Sequence, residues 1–317
     1  MRILIVHPNA AWLAEVLAKR FACLEFFTET GERPFAEPAF DANAIVAVPR
    51  TLPDATIGRF KKLRWIQALT TGTDGFWALQ NLAPEVLITS VRGIHGAAVS
   101  EMVFTYMLSL SRSLPALMEQ QRQHIWKKRP QLLLHGKTAG ILGTGVIAQE
   151  LAARCKAFGM QTVGVSASPR AIAGFDRVLG RDSLPAVAAS VDYLIAIVQL
   201  DAGTRNLVSA DIIKSMPKTS YLINISRGGV CDEAALLQAL KSGSIAGAAL
   251  DVFSVEPLPA DSSLWDAPNL FITPHLGGES DNYLELAAPI VEHNINCMLQ
   301  GRQTEMTNLV QRPTPAD

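Results

Sequence analysis

The sequence predicts an α/β protein of two doubly wound parallel-sheet domains, and three observations carry that prediction. Short apolar runs alternate with longer helical patterns almost from end to end, as chains built from βαβ units do. The runs are rich in Ile, Val and Leu with little polar alternation, which strands covered on both faces require. At 317 residues the chain can also form two domains of ordinary size, each burying its own core.

In the first third, strands are expected at 3–6, 45–48, 65–69 and 87–91, with an amphipathic helix at 11–21. A long helical pattern follows at 97–112, with Glu101 near its start. After Lys137 the apolar runs fall at 138–142, 162–166, 193–198, 221–225, 246–251 and 270–273. Six strands with intervening helices amount to a full dinucleotide-binding sheet. The patterns at 97–112 and 283–299 read as helices by which the chain crosses between domains. A polar, Pro-containing tail from about Gln311 is expected to fray.

Composition removes several function classes. A formal net charge of -1 gives no electrostatic reason for nucleic acid or a membrane surface as partner. The short basic patch Lys127, Lys128 and Arg129 reads as a solvated loop. Cys23, Cys155, Cys231 and Cys297 stand far apart in apolar or helical stretches, so buried thiols in a reducing compartment are expected, and no metal. Met1 leads straight into Arg2-Ile-Leu-Ile-Val-His7 without a signal-peptide pattern, and no apolar run nears the roughly 20 residues that cross a bilayer. A cytoplasmic location is expected.

Gly140-Ile-Leu-Gly143-Thr-Gly145-Val-Ile-Ala148 leaves a predicted strand, opens a helix and fits G-x-G-x-x-A. Gly143 would permit the tight turn, Gly145 would let a pyrophosphate approach the backbone, and Ala148 would allow close helix–strand packing. N–H groups near Val146 and Ile147 would then face the anion. The acid expected about 20 residues later is missing. Ser166-Ala-Ser168-Pro-Arg170 stands there instead, and hydroxyls followed by an arginine suit a ribose 2′-phosphate. NADP is therefore expected over NAD, which stays possible.

Three later segments each put polar residues just beyond a strand: Asn224-Ile-Ser-Arg227-Gly-Gly229, Asp251-Val-Phe-Ser-Val-Glu256-Pro257 and Thr273-Pro-His275-Leu-Gly-Gly278. Open parallel sheets bind ligands at the carboxyl ends of their strands, so these groups are expected in one crevice. Their chemistry suits reduction of a keto acid. Hydride addition to a carbonyl carbon leaves an alkoxide that needs a proton, which His can supply near neutral pH. A carboxylate beside the His favours the imidazolium and fixes the ring. An arginine fork can hold a substrate carboxylate and polarise the adjacent carbonyl.

On these motifs the chain resembles the D-isomer-specific 2-hydroxyacid dehydrogenase family, and within it the glyoxylate/hydroxypyruvate reductases. The resemblance runs over most of the chain and is densest from Gly136 to Gly278. It implies a flavodoxin-like substrate-binding domain, discontinuous over 1–96 and 281–317, and a Rossmann dinucleotide-binding domain over 97–280. It also implies Arg227 as substrate anchor, His275 as general acid in reduction and Glu256 as its partner. The implied cofactor contacts are Gly143, Thr144, Gly145, Val146, Ile147, Ser166, Ser168, Arg170, Gln199, Thr204, Ile225, Ser226 and Asp251, the last beside the nicotinamide ring. Gly72 and Thr73 would offer N–H groups to the substrate carboxylate.

Two departures stand out. Thr70-Thr-Gly72-Thr73-Asp74 replaces the first glycine of the family's G-x-G-x-D loop, and Gln199-Leu-Asp201 stands where family members carry a proline. In Arg92-Gly-Ile-His95-Gly-Ala-Ala-Val-Ser100-Glu101, His95 reads as a structural or pocket-rim residue rather than the proton donor. The resemblance further implies a cleft between two domains and a homodimer with 97–112 at its interface. Formate dehydrogenases of the same superfamily carry Gln at the position of Glu256, so the carboxylate argues for carbonyl reduction; phosphite oxidation is a remoter variant. A dinucleotide-sensing corepressor would keep the same three residues, but this chain lacks long disordered extensions for recruiting partners.

Overall fold

The computed structural model describes residues 1–31 and 34–311. The predicted fraying tail, apart from Gln311, lies outside the described residues. The chain divides into two compact units, Met1–Ile94 with Ser280–Asp317, and His95–Glu279.

The first unit opens with β1 (Arg2–Val6), α1 (Ala10–Arg20), β2 (Glu25–Glu29), β3 (Ala44–Ala47), the single turn α2 (Asp54–Ile57), β4 (Trp65–Ala68), the single turn α3 (Asp74–Trp77) and β5 (Leu87–Thr89). The second unit runs α4 (Gly96–Ser111), α5 (Leu114–Arg122), β6 (Thr138–Leu142), α6 (Val146–Ala157), β7 (Gln161–Ser166), β8 (Arg177–Gly180), α7 (Leu184–Ala188), β9 (Tyr193–Ala196), α8 (Ala210–Ser215), β10 (Tyr221–Asn224), α9 (Glu233–Ser242), β11 (Gly247–Leu250) and β12 (Leu270–Ile272). The chain then returns to the first unit with α10 (Tyr283–Leu299) and β13 (Leu309–Val310).

In the first unit the strand order is β2-β1-β3-β4-β5-β13, all neighbours parallel except the antiparallel β5–β13 edge. Its five parallel strands follow the flavodoxin-like order, with the direction of winding reversed between β1 and β3. Gln67 and Thr89 are fully buried in mid-sheet, and their polar groups answer one another. Trp65 Nε1 donates to Thr89 Oγ1 (2.9 Å), Thr89 Oγ1 donates to Gln67 Oε1 (2.8 Å), and Asn294 Nδ2 of α10 donates to the same oxygen (2.8 Å). Asn294 Oδ1 also accepts from the Thr307 N–H at 2.7 Å, so the network fastens the returning segment to the sheet.

The second sheet is wholly parallel in the order β8-β7-β6-β9-β10-β11-β12. This is the Rossmann order, with the switch point between β6 and β9. It has seven strands where the sequence led us to expect six. The addition, β8, is a half-buried edge that begins at Arg177 and ends at Gly180, so it offers no apolar run to read. One face of the sheet is covered by α7, α8 and α9 through Val187, Ile213 and Leu236. The other is covered by α4 and α6 through Val103, Met107, Leu151 and Cys155. Covering on both faces explains why β9, β10 and β11 are buried throughout and show no polar alternation.

One cysteine departs from expectation: Cys23 is exposed just beyond α1, while Cys155, Cys231 and Cys297 are buried. Lys127, Lys128 and Arg129 are exposed in an irregular stretch. Among the described residues no helix is long and apolar enough to cross a membrane, and no group of His, Cys, Asp or Glu could hold a metal ion.

Candidate active site

The turn from β6 to α6 separates two uses of glycine. Gly143 has φ +99°, and a Cβ there would lie 2.5 Å from the Ile197 carbonyl oxygen, so the fold itself demands glycine. Gly145 has φ -72° and ψ -175°, backbone that any residue adopts, and a Cβ there would meet nothing within 4 Å. Its missing side chain keeps clear the space in front of α6. No side chain caps that helix, and its first N–H groups, those of Val146 and Ile147, have no acceptor on the helix itself. Val146 is exposed beside them, and Ala148 is fully buried against the sheet. The Thr144 carbonyl accepts from Gln149 Nε2 at 3.0 Å, which holds the turn. Open space, unmatched donors and a positive helix end together fit a dinucleotide pyrophosphate.

At the end of β7, Ser166 Oγ accepts from the Ser168 N–H (3.2 Å), and Ser168 and Arg170 are exposed. The neighbouring strand pairs Gly180 with Ser166, so Arg181 follows at the same sheet end; its Nη1 donates to the Gly203 carbonyl at 3.2 Å. Sequence reasoning missed Arg181 because β8 was not read as a strand. Thr204 lies in the loop that follows β9. It is 1% exposed, and its hydroxyl donates to the Gln199 carbonyl (2.6 Å) while accepting from the Asp201 N–H (2.7 Å). It closes the 199–204 turn from inside and has no hydroxyl to turn outward, whereas Gln199 is exposed.

Three strand-end segments meet beyond β10, β11 and β12. After β10, Asn224 is buried and clamps its own loop: Nδ2 donates to the Arg227 carbonyl (2.9 Å), and Oδ1 accepts from the Ser226 N–H (3.1 Å) and Oγ (2.8 Å). Ile225 and Ser226 are nearly buried, and the Ser226 carbonyl accepts from Arg227 Nη1 at 2.8 Å. A Cβ on Gly228 would fall 1.9 Å from the Phe253 carbonyl carbon, so this loop lies backbone to backbone on the one after β11. Only glycine permits that approach.

After β11, Glu256 Oε1 accepts from the Phe253 N–H (2.9 Å), and Oε2 faces His275 Nδ1 at 2.7 Å. Burial alone would raise the Glu256 pKa, but the hydrogen bonds from His275 and the Phe253 N–H, with the charges of His275 and Arg227, hold it below the usual value. The guanidinium of Arg227 is thus felt at the same carboxylate that orients the imidazole. With Nδ1 directed at Glu256, Nε2 is the nitrogen left for a ligand.

His275 itself sits at φ +57°, unusual for a side-chain-bearing residue. Asp251 holds it there. The Asp251 carbonyl accepts from the His275 N–H (2.8 Å), Oδ1 from the Leu276 N–H (2.8 Å) and Oδ2 from the Gly277 N–H (2.8 Å). Asp251 is 1% exposed, so most of its carboxylate faces protein. His95, at the start of α4, is also buried; its imidazole lies 3.0 Å from where a Gly278 Cβ would stand. Burial pushes the His95 pKa down to about 4.

In the first unit, Thr70 Oγ1 donates to the Gly72 carbonyl at 2.6 Å, so the threonine that replaces a glycine pins the turn with its side chain. Thr73 is nearly buried at the start of α3, where its Oγ1 accepts from Trp77 Nε1 at 3.1 Å.

A Rossmann-type sheet with a clear helix N-terminus, and an Arg, Glu and His gathered beyond its strands, defines a dinucleotide-dependent class of protein. Residues 104–277 match the family described as "D-isomer specific 2-hydroxyacid dehydrogenase, NAD binding domain". The chain belongs to that family. It is 30% identical over 97% of its length to a D-3-phosphoglycerate dehydrogenase from Methanocaldococcus jannaschii, of which it spans 58%. It is also 30% identical to a glyoxylate/hydroxypyruvate reductase A from Salmonella paratyphi B, over 87% of this chain and 88% of that one. Among solved structures, a D-isomer specific 2-hydroxyacid dehydrogenase family protein from Aeromonas salmonicida superposes with a TM-score of 0.90 at 32% identity, covering 98% of this chain and 99% of that one. An NADPH-dependent glyoxylate/hydroxypyruvate reductase from Sinorhizobium meliloti, in complex with NADP and sulfate, superposes with a TM-score of 0.80 at 26% identity, covering 98% of each chain.

Proposed function

We propose that the protein reduces a small 2-keto acid to the D-2-hydroxy acid, with NADPH as the preferred reductant and NADH as a possible one. The observation that carries this reading is the His275–Glu256 pair at 2.7 Å with the Arg227 charge acting on the same carboxylate. The bound reduced nicotinamide supplies the hydride to the carbonyl carbon. His275, held by Glu256 through Nδ1, gives its Nε2 proton to the carbonyl oxygen as the C=O π bond breaks. Arg227 pairs with the substrate carboxylate and draws charge from the neighbouring carbonyl. Asp251 is assigned to the nicotinamide side of the site and Ile225, Ser226 and Gln199 to the cofactor's flank. Gly72 and Thr73 are assigned to the substrate carboxylate. On this reading the unit containing β1–β5 is the substrate-binding domain.

The preference for NADPH rests on the missing acid at the end of β7 and on the exposed Ser168 and Arg170 there. The Sinorhizobium relative, which is NADPH-dependent, supports it. Glyoxylate and hydroxypyruvate are the first substrates to try, since the Salmonella and Sinorhizobium relatives are named for them. The test is a panel of 2-keto acids with each reduced cofactor, followed by loss of its absorbance. Turnover with at least one acid, faster with NADPH, is expected. Tight NADPH binding without turnover of any acid would instead indicate a binding protein.

We also propose a cytoplasmic homodimer. In the stretch after α4, Leu114, Met118, Ile125, Leu132 and Leu133 are exposed and Trp126 is 99% exposed, an apolar surface that a second copy would cover. A solution mass twice the chain's 34.2 kDa is expected by light scattering.

A further inference from the structure

Asp251 does more than accept three successive backbone N–H groups. Its Oδ1 also accepts from Thr273 Oγ1 at 2.6 Å, and the Tyr106 hydroxyl lies 3.2 Å from the same oxygen and 2.5 Å from Thr273 Oγ1. The Thr273 proton is directed at the carboxylate, so the Tyr106 O–H must be the donor toward Thr273 and Asp251. Burial and the Asp251 charge push the Tyr106 pKa up, so the phenol keeps its proton at every working pH. Tyr106 is fully buried on α4, and its ring packs on Phe271 of β12 at a centroid distance of 5.8 Å. The helix thus reaches through the sheet face to the carboxylate that sets the backbone around His275. Nothing in the apolar pattern of α4 marks this residue out.

We propose that Tyr106 is a positioning residue for His275, acting through Thr273 and Asp251 to hold the 275–277 backbone. Removing the phenol oxygen leaves the carboxylate three donors, Thr273 Oγ1 and the Leu276 and Gly277 N–H groups, but frees it to rotate, and the left-handed backbone at His275 loses its fixed anchor. The proton donor then samples orientations away from the reacting oxygen. Asp251 keeps its place through the Leu276 and Gly277 N–H groups, and the pyrophosphate end of α6 and Arg227 are untouched, so substrate and cofactor binding change little. The effect therefore falls on kcat rather than on KM.

This inference rests on the proposed reduction, so two readouts are needed, one of which requires no turnover. Tyr106→Phe keeps the ring and its packing. It is expected to lower kcat about tenfold, with KM for the keto acid and Kd for NADPH changing by less than about twofold. Thr273→Val should act alike and Thr273→Ser should restore most of the loss. The double variant Tyr106→Phe/Thr273→Val should be no worse than about twofold below the poorer single one, because both act through one oxygen. In 13Cε1-histidine NMR, the His275 signal, assigned by its absence in His275→Gln, should broaden or split in Tyr106→Phe. If Tyr106→Phe is too unstable to assay, Thr273→Val carries the same expectations. A kcat within about twofold of the unaltered protein, with an unmoved His275 signal, overturns the proposal. Equal losses in kcat and NADPH affinity overturn it too, since they mark general damage. If the unaltered protein reduces no keto acid, the functional reading falls, and the NMR comparison still decides the positioning role.

Discussion

Each unit buries a polar network against its sheet, and the two networks differ in kind. In the first, Trp65, Gln67, Thr89 and Asn294 are all neutral, fully buried and placed within strands or a helix. In the second, an ionisable residue, Asp251, gathers Tyr106, Thr273 and three backbone N–H groups just past the end of β11. A neutral network can do no more than satisfy buried groups and fix how a helix meets a sheet. A carboxylate at a strand end can set the backbone of a loop that carries chemistry. The charge of the carboxylate, and the loop to which it is bonded, separate site from scaffold.

Four changes would break or sharpen that contrast. The largest effect is expected from His275→Ala, which should lower kcat by roughly 10²–10⁴-fold and leave Kd for NADPH nearly unchanged. Turnover within a few-fold of normal would remove His275 from the chemistry.

The pH response of the second unit comes next. His95 has a folded pKa of about 4 against an ordinary 6.5, so the unfolded chain binds more protons between those values. Its contribution is complete above about pH 6.5 and is lost as pH falls toward 4, on the order of 3 kcal/mol in all. Urea unfolding of His95→Gln should show a flatter pH dependence across that window. An unchanged slope would mean that His95 does not carry it.

Asn294→Ala tests the neutral network, where about 2 kcal/mol should be lost because Gln67 and Thr307 keep buried groups without their partner. Kinetic constants should be untouched; a loss of kcat there would erase the distinction between the two networks. The smallest effect belongs to Arg170→Ala, expected to weaken NADPH binding by about tenfold and NADH binding hardly at all. Equal weakening of both would take Arg170 out of 2′-phosphate recognition.

The fold class could be read because parallel strands covered on both faces leave uninterrupted apolar runs, as in Tyr221–Asn224. The strands that escaped reading are at edges. β2 reads Glu-Phe-Phe-Thr-Glu, β8 is Arg177–Gly180, and β13 has two residues. Half-solvated edges carry charge and small residues, which erase the pattern. The glycine turn and the three strand-end segments stood out because each concentrates its polar residues locally. Tyr106 did not, since its partner Asp251 is 145 residues away and its own helix is apolar. The inward turn of the Thr204 hydroxyl, drawn to backbone groups within five residues, is likewise set by local geometry that no sequence pattern displays.

The path of the chain has a consequence for biosynthesis. The second unit is contiguous, whereas the first is closed only by α10 and β13, which emerge after everything from His95 to Glu279 has been made. Until then β5 lacks its antiparallel neighbour and Gln67 lacks Asn294. The usual order in which the N-terminal part folds first on the ribosome is therefore inverted. The nascent first unit must wait, with an open sheet edge, for a segment translated last, and a stalled ribosome would leave the later-starting unit complete and the earlier one unfinished.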